Sequence, residues 1–343
     1  MTRRRKILLA VAAGVLVVVA LAGWQGARAW WAWRGIERIE FDTAAARSEL
    51  PGLPESVGGS PEEEPAPIQP LETVEYDAVL AIGSDEPTEE EKLRLEEAGK
   101  PIQEQAYADA ILLWLEPEDG GAPALVSIPR DLLVVNPCTH EETKLDRTLA
   151  GCGDAASGPE LVALAVEDYT GIAIDHFALF GFDAFVDVID SLGGVEICVD
   201  NPLRHAGIDL LPAGCTTASG ATALRWVKSR ITEEYVDGEW RFVEGVSDQS
   251  RSRRQQQLMF AMLAKMKAMR SPTALAGIAE SVGDSVSLSE SLSMGDAIAM
   301  AWDLRSVPPS TIRRLVVPTE SVVTEDGSFA LRSVVPFREL LES

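Results

Sequence analysis

Basic residues, histidine and long apolar runs are all scarce in this 343-residue chain. Each shortage removes a class of function. Thirty Lys and Arg stand against 54 Asp and Glu, a formal charge of -24. A nucleic-acid footprint is normally net basic, so no nucleic-acid partner is expected, and any anion site must come from a local cluster of bases. The three histidines, His140, His176 and His205, are scattered, and no G-x-S-x-G stretch accompanies them. A serine–histidine triad is therefore not visible. Walker and dinucleotide glycine loops are absent as well. His176 lies beside Phe177 in an apolar stretch, where a packed, hydrogen-bonded ring is the simpler reading. Wholesale disorder is excluded by a hydrophobic fraction of 46%, enough for a substantial core.

The one long apolar run is N-terminal. Arg3-Arg4-Arg5-Lys6 precede an uninterrupted stretch from Ile7 to about Gly23, within the roughly 17–25 residues that span a bilayer. This pattern predicts a cytoplasmic basic tail (1–6), a single-pass transmembrane anchor (7–24) and an extracytoplasmic remainder. Trp24, Trp30, Trp31 and Trp33 follow as an interfacial aromatic belt. A cleaved signal peptide ending at Ala27-Arg28-Ala29 is the alternative, although the run exceeds the usual core of about 7–15 residues. Residues 25–72 then read as an aromatic juxtamembrane segment and a Pro/Glu-rich spacer, "LPGLPESVGGSPEEEPAPIQP". Residues 73–343 are left as the extracytoplasmic domain with a C-terminal helical and strand extension. Export permits disulfides. Cys138, Cys152, Cys198 and Cys215 allow three connectivities, of which neighbour with neighbour is the simplest. A zinc site from Cys138, His140 and Cys152 is the rival, without an obvious fourth ligand.

Within the domain, "VEYDAVLAIGSD", "ADAILLWLEP", "APALVSIP", "IDHFALFGF", "VEICVD" and "IRRLVVP" read as strands. "GPELVALAVEDYTG", "DAFVDVIDSLGG", "GATALRWVKSR" and a long segment from about Gln249 to Ala268 read as helices. "PTEEEKLRLEEAGK" reads as an exposed, charged helix. The alternation predicts an α/β class protein, a mixed central β-sheet flanked by helices. "ALVSIPRDLLVV" is the odd stretch, because Pro129 breaks a buried strand and the Arg130-Asp131 pair is costly to bury without compensation.

Carboxylates recur at strand ends and bases in the second half. Asp85 closes the first strand and Asp109 opens the next, at the loop end where an open α/β sheet collects ligands. Two such carboxylates suit a hard cation such as Mg2+; a turn-forming Asp and a strand-edge Asp are the plain alternative. In "DQSRSRRQQQL", Arg251, Arg254 and Gln255 share one helix face, which Leu258 and Met262 continue. Arginines at a helix N-terminus oppose its dipole and gain if an anion binds there. A solvated basic face is the plain alternative.

These segments, with "AIGSD", "VSIPRDLLV", "TKLDRTLAG" and "IDHFALFGFDAFVDVIDSLGGVEICV", resemble in order the LytR-CpsA-Psr family of membrane-anchored envelope proteins. The resemblance covers roughly residues 74–265. It implies the family's fold and a Mg2+-dependent phosphotransfer, with Mn2+ as a substitute. A glycopolymer phosphate would move from a polyprenyl-pyrophosphate carrier at the membrane to peptidoglycan. By the same resemblance Asp85 and Asp109 would bind the metal and act with Arg130 in catalysis. Arg130, Lys144, Lys228, Arg230, Arg251, Arg254 and Gln255 would contact the pyrophosphate, with Asp131 and Asp248 orienting the arginines. The polyprenyl tail would need an apolar tunnel, for which "FALFGFDAFVDVI" and "LMFAMLAKM" are candidates; the same residues serve equally as ordinary core. Two positions depart from the family pattern: Tyr107 stands where an Arg is common, and Lys228-Ser229-Arg230 stands for R-x-R, with loss of a bidentate fork at Lys228. A pyrophosphatase and a non-catalytic lipid-binding scaffold or regulator are the alternative functions.

Overall fold

Five of the six β-patterned runs meet in one seven-stranded sheet, while "VEICVD" pairs elsewhere, and the chain enters the main sheet earlier than expected. The computed structural model describes residues 30–51, 75–85, 95–99, 106–229, 232–242, 248–268, 286–300 and 307–342, less 298 and 325, with single positions at 27 and 93. The side chains of 248–252 lie outside the described set. So do the anchor expected over 7–24, most of the spacer and much of the charged helix expected over 87–100. Among the described residues, no helix is long and apolar enough to cross a membrane.

A strand at Glu37–Ile39 (β1) and a helix at Thr43–Glu49 (α1) come first. Then follow β2 (Tyr76–Ser84), β3 (Ala108–Pro117), β4 (Ala124–Ile128), β5 (Leu133–Val135), β6 (Glu142–Lys144) and a 3-10 helix, Leu145–Ala150. Next are helix α2 (Gly158–Thr170), β7 (His176–Phe180), α3 (Phe182–Ser191), β8 (Val195–Val199), β9 (Leu203–His205), β10 (Ile208–Leu211) and β11 (Gly214–Ala218). The remainder is α4 (Gly220–Lys228), β12 (Thr232–Val236), β13 (Glu239–Phe242), α5 (Asp248–Ala268), β14 (Val286–Ser289), β15 (Arg313–Val316), β16 (Thr319–Val323), β17 (Phe329–Ser333) and α6 (Phe337–Glu342).

The main sheet runs β1-β14-β7-β2-β3-β4-β15. It is mixed: β2 is antiparallel to β3 and parallel to β7, while the edge strands β1 and β15 pair in parallel with β14 and β4. Alternating residues of β2, β3 and β4 face two layers, as the period of a strand requires. Leu80, Ile82, Ile111, Leu113 and Val126 pack with Val162 and Val166 of α2 and Leu340 and Leu341 of α6. Leu112 and Leu125 on the other face pack with Phe260 of α5. The central sheet flanked by helices is thus as the element pattern predicts. Helix α2 is locally well specified: Ser157 and Glu160 form a reciprocal capping box, and Gly171 ends it at φ 73°, a conformation glycine adopts without cost.

One boundary is corrected: residues 37–49, read as part of the juxtamembrane segment and spacer, belong to the fold. Strand β1 extends the main sheet, Ala46 of α1 is buried against Leu161 and Leu164 of α2, and Arg47 pairs with Glu167 and Asp168. Short strands surrounded by polar residues carry little periodic signal, so the pairing partner 250 positions away decides them. The zinc reading is also excluded, because Cys138 is bonded to Cys152 and Cys198 to Cys215. The second pair sits at directly opposed positions of β8 and β11.

A second core, outside the main sheet, joins α3, α4, β8 and β10 with Leu258 of α5. Gly220 permits the close approach of α4 to α3: a β-carbon there would lie 2.3 Å from the Val186 carbonyl oxygen. His176 is a hydrogen-bonded strand residue, its Nδ1 3.0 Å from Ser291 Oγ.

Candidate active site

Between the end of the main sheet and the second core lies a cavity of about 380 Å³. One end is polar, formed by Asp85, Asp109, Arg130, Lys228 and Gln255; Phe180, Phe182, Phe185, Val188, Leu224, Val227, Leu258, Met259 and Met262 form much of the rest. The segments "FALFGFDAFVDVI" and "LMFAMLAKM" therefore do line a cavity. Helices α3, α4 and α5 each turn apolar side chains to it and others to the cores, so one amphipathic face serves both.

The two carboxylates are placed by an irregularity in the β2–β3 ladder. Gly83 opposes Ala110 and Ser84 opposes Ala108, which leaves Asp109 as the extra, bulged residue. A bulge of this kind re-aims a side chain and is common beside active sites. Asp85 continues β2 by accepting from Tyr107 N–H through Oδ1 at 2.8 Å, while its own N–H donates to the Tyr107 carbonyl at 3.1 Å. Position 107 thus supports Asp85 through its main chain, a contribution independent of its side chain.

Arg130 stands where β4 has ended at Ile128 and the chain has turned after Pro129. Its guanidinium donates to Asp109 Oδ1 through Nη1 and to Asp131 Oδ2 through Nε at 3.3 Å. Asp131 in turn accepts from Lys144 Nζ at 3.0 Å. Burial alone would lower the Arg130 pKa, but the charges of Asp109, Asp131 and Asp146 outweigh it and hold the group above its ordinary value. The half-buried pair in "SIPRD" is therefore compensated by a four-member chain, Lys144–Asp131–Arg130–Asp109. Lys228 ends α4 with its Nζ 3.3 Å from the centroid of the Phe182 ring, a cation–π contact. Gln255 donates weakly to the Asp109 carbonyl, at 3.5 Å.

Not every expected residue reaches the cavity. Lys144 and Asp131 stand behind Arg130 and hold it. Arg254 turns away: Nη1 and Nη2 donate to the carbonyls of Trp226 and Ser229, each at 2.8 Å. It caps the C-terminus of α4, where a cation suits the helix dipole, and so fixes the helix end that carries Lys228. Arg230 lies outside the described residues, as do the side chains of Asp248 and Arg251.

One residue escaped the sequence reading. Asp146 is only 7% exposed, and its N–H donates to the Arg130 carbonyl at 2.9 Å. Its Oδ1 is buried with no hydrogen-bond partner. Burial first, and the nearby charge of Asp131 second, push its carboxyl up to about 6, against the pull of Arg130, Lys144 and Arg147. Its spacing two residues after Lys144 was the only available signal, and nothing in "TKLDRTLAG" marks the aspartate as buried.

A profile of the LytR_cpsA_psr family matches residues 60–333, most of the chain. The chain belongs to the LytR_cpsA_psr family. Relatives of this LytR_cpsA_psr protein include the cell wall biosynthesis protein LcpA of Corynebacterium glutamicum, 27% identical over 279 residues, 71% of this chain and 50% of LcpA. TagT of Bacillus subtilis, a polyisoprenyl-teichoic acid–peptidoglycan teichoic acid transferase, is 28% identical over 204 residues, 57% of each chain. The chain spans about half the length of these curated relatives. A solved LytR-Csp2A-Psr enzyme from Actinomyces oris superposes with a TM-score of 0.60 at 26% identity, covering 79% of this chain and 91% of that one. A structure of TagT bound to LI-WTA shares the fold, with a TM-score of 0.58 at 20% identity over 89% of this chain and 96% of that one.

Proposed function

We propose that this protein is a cell-wall phosphotransferase that moves a glycopolymer phosphate from a polyprenyl-pyrophosphate carrier to a sugar hydroxyl of peptidoglycan. The observation that carries this reading is the amphipathic cavity. An aliphatic and aromatic wall suits an isoprenoid tail, and Arg130, Lys228 and Gln255 beside two carboxylates suit a pyrophosphate head. Phosphoryl transfer needs little covalent chemistry from a protein; it needs the charge neutralised and the attacking oxygen held in line. The acceptor oxygen forms a bond to the phosphorus that bears the glycan, the bond from that phosphorus to the polyprenyl-phosphate oxygen breaks, and the hydroxyl proton ends on the departing polyprenyl phosphate. Arg130 donates to the non-bridging oxygens from a position fixed by Asp109 and Asp131, and Lys228 and Gln255 at the same polar end add further donors. The apolar wall excludes water, which favours a sugar hydroxyl over hydrolysis.

Asp85 and Asp109 fit a divalent cation. The bulge turns Asp109 into the cavity beside Asp85, and a pair of hard carboxylates leaves the remaining shell to water and phosphate oxygens, as Mg2+ or Mn2+ prefers. Bound there, the cation would neutralise the pyrophosphate charge. The N-terminal run 7–24 would anchor the chain in the cell membrane with its N-terminus cytoplasmic and the domain outside. Two disulfides support an oxidising compartment.

The test supplies the purified protein with a polyprenyl-pyrophosphate glycan, Mg2+ and a peptidoglycan acceptor. Glycan phosphate joined to the acceptor, lost with chelator and restored by Mg2+, is the expected result. Free phosphorylated glycan would assign a pyrophosphatase instead, and bound lipid without turnover a scaffold.

A further inference from the structure

The cavity accounts for a lipid-linked donor but leaves the acceptor unplaced. Between α4, which brings Lys228 to the cavity, and α5, which brings Gln255, the chain inserts the hairpin β12–β13. We infer that the aromatic face of this hairpin binds the acceptor glycan, a chain of N-acetylated amino sugars; the inference rests on the phosphotransferase reading above.

Register puts one set of side chains on one face. Tyr235 opposes Trp240, Glu233 opposes Phe242, and Arg204 of β9 opposes Glu233 from the other side. Directly opposed residues, and those two apart on a strand, point the same way. At the base of the hairpin the other face turns inward, where Thr232 is buried and its hydroxyl donates to Ser229 Oγ at 2.7 Å; toward the tip that face is open too, with Glu239 and Arg241 exposed. The aromatic set lies on the face opposite Thr232, with Tyr235 42% and Phe242 67% exposed.

These groups are held before any ligand arrives. The rings of Tyr235 and Trp240 lie 5.2 Å apart, tilted by 57°, and the Arg204 guanidinium lies 4.4 Å from the Trp240 centroid. Arg204 also forks onto both oxygens of Glu233, at 2.7 Å each. A pyranose presents a C–H face that stacks on an aromatic ring and a rim of hydroxyl and amide groups for charged partners to hydrogen-bond. Rigid aromatics give that contact area at a low entropy cost. Anionic partners fit poorly, because Glu233, Glu234, Asp237 and Glu239 outnumber Arg241 on the hairpin. That composition disfavours an anionic bilayer.

Position favours the acceptor over an unrelated glycan. Thr232 is four positions after Lys228, so β12 starts within ~14 Å of the cavity lysine, and Tyr235 lies within ~25 Å. A glycan strand stacked on the hairpin can reach the polar end of the cavity with one of its sugars.

The experiment uses the full chain in detergent and a soluble, uncharged oligosaccharide of alternating N-acetylglucosamine and N-acetylmuramic acid whose lactyl carboxyls are amidated. Calorimetry should detect binding by the wild type, at least tenfold weaker binding by Trp240→Ala and Tyr235→Ala, and near-normal binding by Trp240→Phe. Polyprenyl-pyrophosphate binding should be unchanged in all three. In transfer assays Trp240→Ala should raise the acceptor KM and leave the donor KM alone. Equal oligosaccharide affinity in wild type and Trp240→Ala overturns the inference, as does a wild type that does not bind. Loss of vesicle binding or self-association in Trp240→Ala, without a change in oligosaccharide affinity, reassigns the face and also overturns it. None of these binding readouts needs turnover, so failure of the phosphotransferase reading registers separately.

Discussion

Replacing Asp146 with Asn removes one negative charge from a buried position while keeping its shape. The ordinary carboxyl value of 3.8 rises to about 6 in the fold, because burial disfavours the charged form and one oxygen has no donor. A raised acid pKa stabilises the fold fully below the unfolded value of about 4, and that contribution is lost as pH rises through about 6. The full displacement corresponds to about 3 kcal/mol, at about 1.4 kcal/mol per pKa unit. Integrating proton binding from about pH 5 to about pH 8 leaves about 1.4 kcal/mol of it to be measured. Asn does not titrate, so the variant should gain about that much on the wild type over this interval. The assay is urea unfolding of the chain from residue 30 onward at both pH values, wild type and variant in parallel. Any fixed cost of the amide is common to both pH values and cancels. A stability difference that stays the same at both would refute the burial account of Asp146.

Arg130→Ala should lower turnover by about 10²–10³-fold, as loss of a positioned donor does, with the circular dichroism spectrum retained; undiminished transfer would remove Arg130 from the site. Leu224→Trp should fill the apolar part of the cavity and raise the KM of a long polyprenyl donor more than that of a two-isoprene donor, read by steady-state kinetics. Arg254→Lys should lose the fork to the Trp226 and Ser229 carbonyls and cost about 1–2 kcal/mol, read by thermal unfolding. The same change should weaken donor binding, since the end of α4 that carries Lys228 is no longer held.

Much of the fold was legible locally. Strands β2, β3 and β4 and helices α2 and α3 fall where period and punctuation put them, and the neighbour pairing of cysteines holds. "SIPRD" was also readable as a strand end, because proline cannot continue a central ladder. The site was legible as residue types: Asp85, Asp109, Arg130, Lys228 and Gln255 do converge. Their geometry was not. Nothing in the sequence distinguishes Arg254, which caps a helix, from Gln255, which lines the cavity one position later.

By itself, then, the sequence determined the elements, their order and the chemistry available, since these follow from periodicity, caps and side-chain type within short windows. Only the tertiary structure decided the rest. The register of β2 against β3 made Asp109 a bulge, a partner strand 250 positions away drew β1 into the sheet, and packing buried Asp146 behind Arg130. Each depends on which surfaces meet, a property that no local stretch of chain contains.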